Sequence, residues 1–400
     1  MIAYSPLRLL AALFISCYAG AVCAEPLRDF GDANAGRFWQ QLQRLEQGTG
    51  RDPVRIMQLG DSHTAGDYFT GELRNRMQAR FGNAGYGWLS PGYVLNQRSN
   101  QALLRMSGSW VLLNSRTTAA NYPLGGYINR ATIGSSLEVA SKYAPSEGLW
   151  RVSIWARPTP AGLLPWQAQL SNNEVRDFGT VDSQDGWSVA QTLVEASAIN
   201  PLRIAARADN AELGAIVLDR LAPGVSVDAL GVNGAQGTVS NRWDVDTVAR
   251  QLAWRQPDLL IIAFGTNEAF DSHFDADTFA TDLRSLVQRL RRTAPNSAIL
   301  ILGAPSSGKK KGAAINMGCG SGIAPGLPAV QRIQREIARQ QKTLYWDWAE
   351  MMGGVCGATK WARRSPPLVS QDLVHQTAEG YSSSGAAFYE ALMQAYKQGL

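Results

Sequence analysis

The chain is poor in the side chains that most often carry acid–base and metal chemistry, with three His and four Cys among 400 residues. Cys17 and Cys23 fall in an apolar leader, so only Cys319 and Cys356 lie beyond it. Two Cys and three scattered His offer no zinc-ligand spacing, and the reading calls for no metal and no cofactor. Charged residues are also sparse, at 18% against 45% hydrophobic. That is the balance of a globular protein, not of a disordered one. The net charge of +5 is scattered, apart from Lys309-Lys310-Lys311 and Arg363-Arg364. Without a concentrated basic face, nucleic acid is not a favoured partner. No apolar run is long enough for a comfortable transmembrane helix, and no internal repeat is visible.

What is present begins with the leader. Arg8 precedes the apolar run Leu9 to Val22, and Val22-Cys23-Ala24 precedes Glu25. This reads as a secretory signal peptide, residues 1–24, cleaved after Ala24. Val22 directly before Cys23 fits a lipidation site poorly. The mature chain is expected to be exported and soluble. Cys319 and Cys356 then form an even pair in an oxidising compartment and read as a disulfide, worth roughly 3–4 kcal/mol in chain entropy.

Beyond the leader the chain changes rhythm twice. Phe38, Leu42 and Leu45 lie at helical spacing. Val54 to Leu59 is an apolar run that reads as a short buried strand, broken at Gly60, and Tyr68 to Phe81 carries a helical pattern. Gly82-Asn-Ala-Gly-Tyr-Gly-Trp88 reads as a glycine-rich loop. From about residue 90 to 225 short alternating runs take over, among them Trp150–Ala156 and Leu202–Ala208, separated by turn clusters such as Ser171-Asn-Asn and Ser183-Gln-Asp-Gly. Five of the twelve Trp fall there, enough to furnish a core of its own.

After 225 apolar strands (227–232, 259–264, 298–302, 344–346) alternate with helical patterns near 243–254, 283–290, 330–337 and 382–397. The fold class expected is therefore α/β, a doubly wound parallel sheet with an inserted antiparallel β-sandwich. The domains expected are 25–90 and 225–400 for the sheet and 91–224 for the insert.

The carboxyl ends of those strands carry the candidate chemistry. Gly60-Asp-Ser-His63 hands Ser62 to a turn at the sheet edge, which suits either a nucleophile or an ordinary helix cap. Of the three His, His63 is too close in sequence to serve Ser62, and His273 sits in a polar loop. His375 follows Asp372 by three residues, a spacing that lets a carboxylate hold Nδ1–H and turn Nε2 outward as a base. A surface Asp/His pair is the bland alternative. Gly231-Val-Asn-Gly-Ala-Gln-Gly237 and Gly265-Thr-Asn-Glu268 end two further strands, and their N–H groups and the Asn267 amide could line an oxyanion hole. Each alone is an ordinary turn. Glu268 reads as a capping or network residue.

In order, Gly60-Asp-Ser-His63, Gly234, Gly265-Thr-Asn-Glu268 and Asp372-Leu-Val-His375 resemble the four sequence blocks of the SGNH (GDSL-type) esterase superfamily. The likeness covers residues 54 to 385. Asp61-Ser-His-Thr-Ala-Gly-Asp67, Ala79-Arg-Phe-Gly-Asn-Ala-Gly-Tyr-Gly-Trp88 and the β-rich insert are similar to the secreted peptidoglycan O-acetylesterases of Gram-negative bacteria, whose insert resembles a carbohydrate-binding module. The resemblance implies a flavodoxin-like three-layer domain and no cofactor. It implies Ser62 as nucleophile, His375 as base and Asp372 as its orienter. The oxyanion donors would be the N–H groups of Ser62 and Gly234 and the amide of Asn267, with Gly237 as an alternative to Gly234.

The implied reaction is removal of acetyl from the C6 hydroxyl of muramic acid in O-acetylated peptidoglycan, in the periplasm. An acetylesterase or O-acetyltransferase acting on another exported polysaccharide keeps the same triad. A wall-binding protein with a vestigial site would not need it. Tyr86, Trp88, Trp110, Trp166 and Trp187 suit sugar contacts or core packing.

Overall fold

Apolar runs with both faces buried need layers on both sides, and the central sheet has them. Its order is Arg28–Asp29, Leu344–Trp346, Ala298–Leu302, Leu259–Ala263, Val54–Gly60, Val225–Gly231. Every neighbouring pair is parallel except the short first strand, which runs antiparallel to Leu344–Trp346. The computed structural model describes residues 25–160, 162–179, 186–309, 318–319 and 322–399. The expected signal peptide and its cleavage point lie outside the described residues, as do Lys310, Lys311 and positions 183–185 of an expected turn.

Alternation along the strands sorts the core into two layers. Ile56, Ile261 and Leu300 face helices Ala35–Glu46, Phe69–Phe81 and Ala378–Gln398, through Phe38, Phe69, Leu73 and Phe388. Met57, Ile262 and Ile301 face the opposite way, towards Val245–Arg255, Ala276–Thr293 and Leu327–Gln340, through Leu252, Leu286 and Val330. The closing helix starts earlier than periodicity suggested, at Ala378, because Thr377 caps it by accepting from Gly380 N–H. Among the described residues no helix is long and apolar enough to cross a membrane.

Between Phe81 and Val225 lie two antiparallel sheets. One runs Val175–Asp177, Trp166–Gln169, Leu202–Ala206, Ser136–Ser141, Ala102–Ser107; the other runs Ser188–Glu195, Leu149–Ala156, Ala211–Arg220, Tyr127–Ala131, Trp110–Asn114. Leu137 and Ile204 from the first meet Val152, Ile154 and Leu213 from the second in one core. Trp150, Trp166 and Trp187 are fully buried and Trp110 stacks on Trp166, so these aromatics are packing residues. Tyr86 and Trp88 are buried too.

The stretch read as a glycine-rich loop is instead a strand, Gly85–Leu89, paired antiparallel with Ala211–Arg220. Its glycines admit close backbone approach: a Cβ on Gly85 would lie 2.5 Å from Leu218 O. Loop-like composition thus records crowding against the sandwich, not exposure.

A buried charge cluster clasps the sandwich to the sheet. Arg255 ends its helix fully buried, with Nη1 2.7 Å from Asp219 of the sandwich and Nε 2.7 Å from Asp228 of the edge strand. Asp228 also accepts from Trp88 N–H at 2.9 Å. Farther along, Cys319 and Cys356 form a disulfide with Cα atoms 5.2 Å apart. Arg255→Met would leave two carboxylates buried without their cation, a loss of about 3–5 kcal/mol. The urea midpoint should drop accordingly, and a variant as stable as wild type would deny the clasp its role.

Candidate active site

The carboxyl ends of the three central strands lie side by side, with Gly60 in register with Gly231 on one flank and Ala263 on the other. Open α/β sheets place their ligands at this edge. The chain can turn sharply after Gly60 only because that residue lacks a Cβ, which would sit 2.1 Å from Thr64 Oγ1 and 2.8 Å from Ala263 O. Ser62–Ala65 then forms one helical turn, capped by Asp61, whose Oδ1 accepts from His63 N–H at 2.9 Å.

Ser62 and the Asp372–His375 loop, 310 residues apart in sequence, meet at this edge. The Ser62 hydroxyl donates to His375 Nε2 at 3.0 Å. His375 Nδ1 lies 2.7 Å from Asp372 Oδ2, while Asp372 Oδ1 accepts from the N–H groups of Val374 and His375 at 2.9 and 3.0 Å. Partial burial works to raise the Asp372 pKa, but these donors outweigh it and hold the carboxyl below its usual value. An ionised Asp372 accepts a hydrogen bond from Nδ1–H, which keeps the proton on Nδ1 and leaves the Nε2 lone pair facing Ser62. Chemically, this is a hydroxyl beside an oriented base.

Asn267 lies beside Asp61. Its Nδ2 donates to Asp61 Oδ2 at 3.2 Å and to the carbonyl of Ala235 at 2.9 Å, so both amide protons have acceptors. Gly234, at φ +69°, occupies the turn just before Ala235. Of the two candidate glycines, Gly237 has its N–H committed to Glu268 Oε1 at 2.7 Å. Glu268 takes Gly265 N–H at 3.0 Å with its other oxygen, the capping arrangement its position suggested. The N–H of Gly234 has no acceptor among the described residues.

The remaining two His are elsewhere. His273 is exposed on the loop after Phe270, hydrogen-bonded to Ser272. His63 is buried behind His375, ring centroids 5.5 Å apart, with Nδ1 2.7 Å from the hydroxyl of Tyr381. Tyr381 was not singled out from sequence, since only the packing of the closing helix brings it here. Burial, reinforced by the neighbouring His375, pushes the His63 pKa down to about 3. Burial pushes Asp61 up, to about 8, against the pull of the His63 N–H and the Asn267 amide.

The His63 shift has a measurable consequence. Between its ordinary value of 6.5 and about 3, the unfolded chain binds a proton at this residue that the folded chain refuses. Stability should therefore fall as pH drops through that window. Urea midpoints of wild type should decline from pH 6.5 to 4 more steeply than those of His63→Phe, and parallel profiles would contradict the assignment.

Comparisons agree with the geometry. Residues 197–382 match the GDSL-like lipase/acylhydrolase family, and residues 84–195 match the peptidoglycan O-acetylesterase N-terminal family. No curated protein matches. Among solved structures, a peptidoglycan O-acetylesterase is 32% identical, covering 93% of this chain and 99% of its own, with a TM-score of 0.80. A putative GDSL-like lipase from Parabacteroides merdae is 20% identical over 43% of this chain and 74% of its own, with a TM-score of 0.30. A family two carbohydrate esterase from Cellvibrio japonicus is 11% identical over 74% of this chain and 99% of its own, with a TM-score of 0.30. The last two scores are too low to carry an argument. The first spans the sheet, the sandwich and the Ser62 edge together, and the chain belongs to the peptidoglycan O-acetylesterase family.

Proposed function

We propose that this chain is a serine esterase removing O-acetyl groups from peptidoglycan, at the C6 hydroxyl of muramic acid. The observation that supports it most is the hydrogen-bonded run from Asp372 through His375 to Ser62, at 2.7 and 3.0 Å. In this reading Ser62 Oγ attacks the acetyl carbonyl as its proton passes to His375 Nε2, and Asp372 steadies the imidazolium. The oxyanion accepts from the N–H groups of Ser62 and Gly234 and from Asn267, one of whose amide protons leaves Asp61 or Ala235 to do so. Collapse breaks the bond to the sugar oxygen, which His375 protonates, and leaves acetyl-Ser62. His375 then takes a proton from water as it attacks; acetate departs and Ser62 recovers its hydrogen.

The domain division belongs to the same proposal, with residues 25–90 and 225–400 forming the hydrolase unit around a sandwich of 91–224. Export through a signal peptide to the periplasm suits the substrate and the Cys319–Cys356 disulfide.

Acetate release from O-acetylated peptidoglycan tests the reading. Wild type should release acetate and Ser62→Ala should not. Asn267→Ala should lose roughly 10²–10³ in kcat with little change in KM, because its donor matters most when charge develops on the oxygen. Ser62-dependent hydrolysis of a small acetyl ester, with none from peptidoglycan, would keep the catalytic site and reject the substrate.

A further inference from the structure

The sandwich contributes a cation to the catalytic edge. Gly234 and Asn267 open onto a cleft of about 360 Å³, walled on the sandwich side by Arg116 and elsewhere by Arg242, Phe270 and Asp271. Arg116 lies over the Gly234 turn, so that a Cβ on Gly234 would come within 3.6 Å of its Nε. It is exposed, and among the described residues its guanidinium has neither a hydrogen bond nor an ion pair. The acid of the cleft, Asp271, is already engaged by Gln236 Nε2 at 2.8 Å and His273 N–H at 2.9 Å.

The backbone beneath Arg116 is held firmly, which a merely solvated arginine does not require. Arg242 Nη1 donates to the carbonyls of Ser115 and Arg116 at 3.0 and 3.1 Å. Ser115 N–H donates to Gly126 O at 2.9 Å, and Asn114 Oδ1 accepts from Arg116 N–H at 2.9 Å. Trp243 Nε1 reaches Ser115 Oγ at 3.3 Å. Residues from the hydrolase side thus fix a sandwich loop so that an uncommitted guanidinium faces the cleft of the proposed oxyanion donors.

We infer that Arg116 is a specificity-determining residue that binds a carboxylate of the acetylated glycan while the acetyl group occupies the Ser62 site. The inference rests on the function proposed above for the nature of the glycan. Peptidoglycan carries carboxylates on its stem peptides and, where these are absent, on the lactyl ether of muramic acid. A guanidinium is suited to either by its paired N–H donors. Neutral acetylated polysaccharides would gain nothing from it, so Arg116 separates anionic from neutral esters by affinity.

The test compares kcat/KM for acetate release from native O-acetylated peptidoglycan and from the same polymer with its carboxyls amidated by carbodiimide coupling. Wild type should prefer the native polymer roughly tenfold or more. Arg116→Ala should lose that preference through KM, and Arg116→Lys should keep part of it. A native-to-amidated ratio unchanged by Arg116→Ala overturns the inference. Amidase-stripped glycan, in which cleavage frees the lactyl carboxylate, separates the two groups: an Arg116-dependent preference for the stripped glycan over its amidated form shows that the lactyl carboxylate can be bound, and none restricts the contact to the stem peptide. If wild type releases no acetate from either polymer, the peptidoglycan reading fails. The ratio of 4-acetoxybenzoate to phenyl acetate hydrolysis, wild type against Arg116→Ala, then decides the carboxylate contact by itself.

Discussion

The arrangement of the site depends on one buried carboxyl group, that of Asp61. With one oxygen it closes the turn carrying Ser62, and with the other it accepts from Asn267, which begins a different helix after a different strand. Three parallel strands bring those ends within reach, but strand pairing fixes only backbone register. The orientation of Ser62 against Asn267 comes from Asp61. Its burial is costly, as the upward shift of its pKa shows, and the two donors offset part of that cost. A shorter or apolar side chain at position 61 would leave the His63 N–H without its acceptor and Asn267 held by Ala235 alone.

Around this centre the charges are graded by exposure. Asp372 is half-exposed and held ionised by three hydrogen bonds, where it can steady a cation on His375. His63 lies on the other side of His375, buried and neutral. A protonated ring there would repel the imidazolium that the proposed mechanism forms on its base, and the burial of His63 keeps that second positive charge out. Tyr381, packed from the closing helix, supplies the hydrogen bond that keeps His63 in place.

Much of this was legible in the sequence because it follows from period and order. Apolar runs such as Leu259–Ala263 and helical stripes such as Leu283, Leu286, Val287, Leu290 are local patterns, and they located the sheet and its layers. Ser62 stood out by its glycine turn and His375 by its spacing from Asp372, but each alone suited an ordinary cap or a surface pair, and only the resemblance of the four blocks to the SGNH superfamily joined them. Contacts between distant segments had no such signature. The pairing of Gly85–Leu89 with the sandwich, the Arg255 clasp and the His63–Tyr381 bond each join residues whose separation in sequence says nothing of proximity. Gly234 was preferred to Gly237 for its place nearer the strand end, and the engagement of the Gly237 N–H by Glu268 could not be read from the sequence.

The antiparallel sandwich is joined to the parallel-sheet layers at two places with different consequences. Inside, Arg255 joins Asp219 to Asp228, and Trp155 and Val217 share a core with Leu230 and Leu252, so the sandwich cannot swing as a loosely tethered module. At the surface, Arg242 and Trp243 hold the loop of Ser115 and Arg116 against the catalytic edge. The internal joint makes the surface joint effective, because a guanidinium selects among ligands only when its position relative to the reacting group is fixed. If Arg116 selects among substrates as inferred, the sandwich acts as a fixed wall of the cleft, and the buried joint is what keeps that wall in place.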